Sequence, residues 1–350
     1  MRCLTLANVL RSYGARIRFI CRPHSGHLMA LIRQHEHEIE SLGLPKANGL
    51  PQLKHEYPLL NHAYWLGDSW REDAAQTIAL LRSSIVDWLV VDHYALDARW
   101  ESLLNPYCTK LMAIDDLADR SHECDLLLDQ NLGRTAGDYQ GLVSQHASLF
   151  IGPMYALLRP EFAQLRPQSL ARRGQLQFKH LLITMGWVDK DNATGQVLDV
   201  LKICTLPEDL RITVVMGPHS PWLAQVQGQA KQMPRPTSVL VGVNNMHQLM
   251  ADSDLAIGAA GGTAWEMCCL GLPSLVLVLV ENQLAGAAAL QKAEAAVVLR
   301  SAVELSLFMQ NELFSASSRM KFHQMGHAAA RVTDGAGVFR IVEQLMSCHV

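Results

Sequence analysis

A chain of 350 residues is longer than one hydrophobic core usually spans, so two domains are expected. With 49% apolar and 18% charged residues it has a globular composition, and eight cysteines are too few for a disulfide scaffold. The formal charge of −3 gives no general attraction to nucleic acid or an anionic membrane.

The N-terminus reads as a helix, with Leu4, Leu6, Ala7 and Leu10 on one face and Gly14 as its end. Layered α/β chains usually open with a strand, so the first strand of this half, and the βα turn after it, is missing from the pattern. "ARIRFICR" (15–22) is a short strand, and "HLMALIRQHEHEIESLG" (27–43) reads as a helix leading into an extended segment. "EDAAQTIALLRSS" (72–84) is a helix, "VDWLVVDHY" (86–94) a buried strand, and "LDARWESLLNPY" (96–107) a helix. "TKLMAIDDLADR" (109–120) is a strand with its loop, "CDLLLDQN" (124–131) another strand, and "SLFIGPMYALLRPEF" (148–162) closes the half. The basic, apolar-poor "RPQSLARRGQLQ" (166–177) reads as a linker.

Beyond it the strands are "HLLITMG" (180–186), "RITVVMG" (211–217), "SVLVG" (238–242), "DLAIGAA" (254–260), "PSLVLVLV" (273–280) and "AAVVL" (295–299). Helices separate most of them, and the last helix covers Phe339 to Leu345. This alternation predicts an α/β protein of two Rossmann-like domains with a central cleft. The expected divisions are 1–165, 175–330 and a C-terminal helix in 331–350. The longest apolar run, Leu272 to Val280, is far short of the roughly 20 residues a membrane helix needs. No export signal is recognisable, so a reduced cytoplasmic protein is expected, with "CC" at 268–269 packed in a core.

Ligands of parallel sheets bind beyond the carboxyl ends of the strands. At one such end, Gly258 to Thr263 form a small-residue turn before a helix from Ala264 to Leu270. Gly261, Gly262 and Thr263 there suit close approach of a phosphate, and Glu266 suits ribose hydroxyls. A tight packed turn, with Glu266 stabilising a helix start, fits the same residues. "MGWVDKDN" (185–192) and "MGPHSP" (216–221) are further strand-end turns, each fitting either ligand contact or helix capping. In the first half, Asp92, His93 and Tyr94 end one strand; Asp115 and Asp116 end another, with Arg120 and His122 beyond. An Asp–His pair suits general acid–base work, while a strand-end Asp also caps helices. His24, His27, His35 and His37 lack a completing ligand pattern, so no metal is expected. The seven tryptophans do not alternate with basic residues, which argues against single-stranded nucleic acid.

The strings "GAAGGTAWEMCCLGLPSLVLVLVENQ", "VVDHYALDARWE", "IDDLADRSHECDLLLDQN", "GPMYALLRPEF" and "MGWVDKDN" resemble the pseudaminic acid biosynthesis hydrolases. Those enzymes release UDP from UDP-2,4-diacetamido-2,4,6-trideoxy-β-L-altrose, and the resemblance runs from residue 1 to about 345. It implies a GT-B-like fold and inverting, metal-independent attack of water at the anomeric carbon. It implies no cofactor, a UDP-sugar as the partner, and a monomer. By this resemblance Glu266 would bind ribose, Gly261, Gly262 and Thr263 the diphosphate, and Asn282 and Gln283 the diphosphate or sugar. Gly186 would line the cleft, Tyr94 would contact the altrose ring, and Arg2 and Asp92 would support catalysis. The family opens with a strand and a Gly-x-Gly-His-x-x-Arg loop followed by "CLTLA". Met1-Arg2 matches the end of that loop, which would put the water-activating histidine before residue 1 and leaves the catalytic base unassigned. Trp187 stands where the family has glycine, and Met267 where it has arginine. A UDP-sugar glycosyltransferase and a non-catalytic UDP-sugar-binding chain are the competing readings.

Overall fold

The computed structural model describes residues 1–44, 60, 62–82, 85–174, 178–311 and 316–347. Contacts divide the chain into residues 1–157 with 338–350, and residues 158–337.

The first unit begins with α1 (Arg2–Ser12), which buries Leu4, Leu6, Val9 and Leu10. Gly14 adopts φ +90°, and the amides of Gly14 and Ala15 bond the Arg11 and Leu10 carbonyls. These two bonds form the Schellman cap that glycine permits. Strand β1 (Arg18–Cys21) pairs in parallel with β2 (Glu38–Ser41), with Arg18 opposite Glu38. The helix expected over 27–43 is therefore only α2 (Met29–Gln34). Glu36 turns left-handed at φ 60°, and the Asn8 side chain bonds both His35 and His37. The alternation Glu38-Ile39-Glu40 then continues as an edge strand.

A second parallel sheet has the order β3 (Val86–Val91), β4 (Cys108–Ile114), β5 (Leu126–Asp129), β6 (Ser148–Ile151). Helix α3 (Trp70–Leu81) is capped by Ser69, and α4 (Ala98–Leu104) by Asp97. Among the described residues no ladder joins β1 to β3. The C-terminal helix α13 (Gly337–Met346) buries Val338, Ile341, Val342 and Leu345 in one core with Leu6, Val9 and Leu10. Its apolar stripe thus returns the chain end to the first unit.

The stretch expected to be a linker is mostly helical, since α5 runs Pro160–Arg173 and only 175–177 fall outside the described residues. Its arginines are partly buried. Arg166 donates to the carbonyls of Cys269 and Ala330, and Arg173 to those of Ser253 and Met250. Cationic donors thus satisfy helix-end carbonyls, which is why a charged segment packs here rather than spacing two domains.

The second unit is one six-stranded parallel sheet. In chain order its strands are β7 (His180–Thr184), β8 (Arg211–Met216), β9 (Thr237–Val241), β10 (Leu255–Ala259), β11 (Ser274–Leu277) and β12 (Val297–Leu299). In space they run β12-β11-β10-β7-β8-β9. The order reverses between β7 and β10, which makes their carboxyl ends the switch point where such sheets bind ligands. Buried Leu181, Ile183, Val214, Ile257 and Leu275 form the centre of this core.

At the β8 end, a Cβ on Gly217 would lie 1.9 Å from the Trp187 carbonyl oxygen. Gly217→Ala must therefore push two strand-end turns apart. It is expected to lower unfolding stability by about 2 kcal/mol or more, measured by urea denaturation.

Candidate functional site

Two turns meet the switch-point criterion. After β7, Gly186 takes φ +91°, and Trp187 leaves the sheet 42% exposed. The next polar residues cap rather than reach outward. The Asp189 carboxylate accepts from the Ala193 and Thr194 amides at 2.8 and 3.0 Å, and Asn192 accepts from Gly195, all at the start of α6 (Ala193–Ile203).

The second turn joins β10 to α9 (Thr263–Cys269). The amides of Gly261, Gly262 and Thr263 make no hydrogen bond among the described residues. A Cβ on Gly262 would meet nothing within 4 Å, and one on Gly261 only the Gln283 Nε2 at 4.0 Å. These glycines leave the backbone uncovered instead of filling a packed corner. Gln283 ends the 3-10 turn Glu281–Gln283 after β11, where its Oε1 accepts from the Leu279 amide, and Asn282 beside it is exposed. Asn282 and Gln283 thus follow β11, the strand beside β10.

Glu266 lies one turn into α9. Its carboxyl makes no hydrogen bond among the described residues, and burial pushes its pKa up to about 7, only partly offset by Arg159. Arg159 itself donates to the Asn244 carbonyl. A partly buried carboxyl without a partner is costly, which makes Glu266 the residue of this turn most in need of one. Met267 points the other way, fully buried against Gly258. Cys268 and Cys269 are buried free thiols, both pushed by burial to about 12.

In the first unit, Arg2 bridges two strand ends. It donates to Asp92 at 2.7 and 3.1 Å and to Asp116 at 2.9 Å, and the Cys3 thiol also reaches Asp92 at 3.0 Å. Burial alone would raise Asp92, but Arg2 outweighs it and holds the carboxylate low. Tyr94 donates to Asp116 at 2.8 Å, so Arg2, Asp92, Tyr94 and Asp116 form one cluster. His93 stands outside it: its Nδ1 accepts from the Ala95 amide, and burial holds its pKa down.

The remaining strand-end polar residues are internal. Asp115, fully buried, is paired with Arg120 at 2.7 Å, and His122 with Glu101 at 2.7 Å. Tyr139 has one hydroxyl proton yet lies 3.0 Å from Asp115 and 2.8 Å from Asp129. Below the pKa of Asp129, a proton on that carboxyl relieves the conflict, since it can then donate to the Tyr139 oxygen while Tyr139 donates to Asp115. Burial, with Asp116 and Asp115 nearby, pushes Asp129 up to about 6 against its bonds from Asn131 and Tyr139. Asn131 links Asp129, at 2.8 Å, to Asp116, at 3.3 Å, and so ties this network to the Arg2 cluster. Sequence reasoning gave no role to Tyr139, which lies outside the quoted strings, or to Asn131, which ends "IDDLADRSHECDLLLDQN"; their links to Asp129 exist only in three dimensions.

Residues 180–337 match the Glycosyltransferase family 28 C-terminal domain. An uncharacterized protein of Methanocaldococcus jannaschii is 27% identical over 202 residues, 57% of this chain but only 41% of that protein. The UDP-2,4-diacetamido-2,4,6-trideoxy-β-L-altropyranose hydrolase of Campylobacter jejuni is 28% identical over 213 residues, 61% of this chain and 73% of the hydrolase. The crystal structure of Acinetobacter baumannii MurG superposes with a TM-score of 0.67 at 15% identity, covering 99% of this chain and 95% of MurG. The chain therefore has the GT-B α/β fold of two parallel-sheet units and is related to nucleotide-sugar proteins.

The proton on Asp129 makes a signed prediction. Between the ordinary carboxylate range near 4 and about 6, the folded chain holds a proton that the unfolded chain releases. This group's contribution to stability therefore falls as pH rises through that window. Asp129→Asn keeps a donor toward Tyr139, so it should gain about 2 kcal/mol relative to wild type between pH 4 and 7, read from paired urea titrations.

Proposed function

We propose that this chain hydrolyses a UDP-linked diacetamido-trideoxy sugar to UDP and the free sugar. The observation that carries the nucleotide half is Glu266, a partnerless carboxyl held near pH 7, beside a turn with open amides at the sheet's switch point. An ionised Glu266 accepts the two ribose hydroxyls, and the Gly261, Gly262 and Thr263 amides take the diphosphate charge. Asn282 and Gln283 contact the diphosphate or the sugar next to it, and Gly186 leaves room at the neighbouring turn. The similarity to the Campylobacter hydrolase supports the choice of sugar.

In the reaction, a water oxygen bonds to the anomeric carbon as the bond to the UDP oxygen breaks. The electron pair leaves with the diphosphate, and the water's proton passes to a base. Stabilising the charge that develops on the leaving group is the largest contribution a fixed set of donors can make. Arg2 keeps Asp92 ionised beside Asp116 and Tyr94, a cluster suited to orienting the hydroxyl and amide N–H groups of a sugar. Asp92 is too strongly held by Arg2 to be an efficient base near neutral pH.

The match to a glycosyltransferase domain favours a second reading, transfer of the sugar to an acceptor. Incubating the chain with UDP-2,4-diacetamido-2,4,6-trideoxy-β-L-altrose and no acceptor separates the two. UDP and free sugar in equal amounts are expected; UDP released only when an acceptor is added would move the assignment to transfer. Glu266→Gln should weaken UDP binding about tenfold, a loss of ~1.4 kcal/mol. Affinity should rise from pH 6 to 8 more steeply in wild type than in the variant, because only the ionised carboxylate accepts both hydroxyls. Calorimetric titration with UDP at both pH values measures this.

A further inference from the structure

Of a ring cluster in the first unit, only Tyr94 has a role above; His62, Tyr64 and Trp65 have none. Ala63–Leu66 form a 3-10 turn that places Trp65 5.6 Å from Tyr94, ring centre to ring centre. His62 lies 4.7 Å from Trp65 and 5.5 Å from Tyr94. Tyr64 meets Trp65 edge-on at 6.0 Å. Trp65 remains 42% exposed and Tyr64 58% exposed. The Nδ1 of His62 is buried with no hydrogen-bond partner among the described residues. Tilted ring packing, at 44° to Trp65 and 46° to Tyr94, therefore holds the His62 ring in place rather than a side-chain hydrogen bond among the described residues.

The surface is not simply apolar. Tyr94 is both a member of the ring cluster and the donor to Asp116, whose partner Arg2 also holds Asp92. An aromatic face bordered by carboxylates and a guanidinium matches a molecule with C–H groups on one side and hydroxyl or amide groups on its rim. A pyranose has that distribution; a purely apolar partner would leave the charged border unmatched.

We infer that Trp65 extends the sugar site beside Tyr94, stacking on the C–H face of a pyranose while His62 positions the Trp65 ring. This rests on the sugar-nucleotide reading for the identity of the sugar, though not for the existence of the surface. A 6-deoxy sugar, with a methyl group in place of a hydroxymethyl, presents more apolar area to such a ring than a fully hydroxylated hexose. Trp65 therefore favours deoxy sugars.

The test uses the full chain and two probes, UDP alone and free 2,4-diacetamido-2,4,6-trideoxy-L-altrose. Saturation-transfer NMR should show contact from aromatic protons to the sugar's C–H protons in wild type. Trp65→Ala and Trp65→Leu should each weaken sugar binding about fivefold, the size of one aromatic contact. Trp65→Phe should stay within about twofold of wild type, because a ring face is retained. UDP affinity should be unchanged in all three, which also shows that the variants fold. If Trp65→Leu binds the sugar as well as Trp65→Phe, the contact is merely apolar and the inference is overturned. If Trp65→Ala binds as wild type does, it is overturned outright. Failure of wild type to bind UDP would sink the nucleotide reading, while the free-sugar titration would still decide the role of Trp65.

Discussion

A carboxyl group taken out of water must find a cation, keep its proton, or wait for a ligand. Much of the chemistry of this chain follows from which solution each buried acid adopts. Asp115 takes the first: Arg120, two backbone amides and Tyr139 surround it, and it stays ionised. Asp129 goes part of the way to the second: the single proton of Tyr139 cannot serve two carboxylates, Arg134 lies 3.5 Å away, and its titration is displaced to about 6. Among the described residues Glu266 has neither a cation in contact nor a hydrogen bond, and its titration is displaced to about 7. In a folded chain such a group is a standing cost, tolerated where a bound molecule supplies what is missing.

Parallel sheets explain where these acids sit. Every strand of a parallel sheet delivers its carboxyl end to the same edge, so the loops that follow are gathered there. In the second unit this brings Gly186, Gly261 and Glu266 to the point where β7 and β10 diverge, although about 75 residues separate the two turns in sequence. In the first unit the same rule gathers Asp92, Tyr94 and Asp116 after β3 and β4. Arg2, from the start of α1, then reaches both acids.

Much of this was legible in the sequence because it is local. Six strands of the second unit were readable as apolar runs between turns, and Gly14 announced its cap. What was not legible depended on partners distant in the chain. Residues 38–41 lie among charged residues, and only pairing with β1 makes them a strand. The arginines of α5 read as solvated, yet they bond carbonyls 77 to 164 positions away. Strand-end acids posed the same problem: nothing in the string "IDDLADR" distinguishes Asp115, sealed in a core, from Asp116, joined to Arg2 and Tyr94. The two family departures also resolved only in space. Met267 packs inward over Gly258, while the Trp187 ring is partly exposed and its backbone occupies the space that Gly217 leaves open.

The two groups differ in charge. Arg2 carries one positive charge against the two carboxylates Asp92 and Asp116, which leaves that cluster with a net charge of about −1 when both are ionised. A diphosphate brought to it would be repelled, whereas a neutral diacetamido sugar would not. The turn at Gly261 to Thr263 has the opposite character, since its free groups are N–H donors and its one acid is held near half-ionisation at neutral pH. The proposed function puts an anionic leaving group there. Exchanging the two ends would place like charges together in one unit and leave open amides facing a neutral ring in the other. This contrast in charge supports the proposed placement of the diphosphate at the second unit's turn and of the sugar at the first unit's cluster.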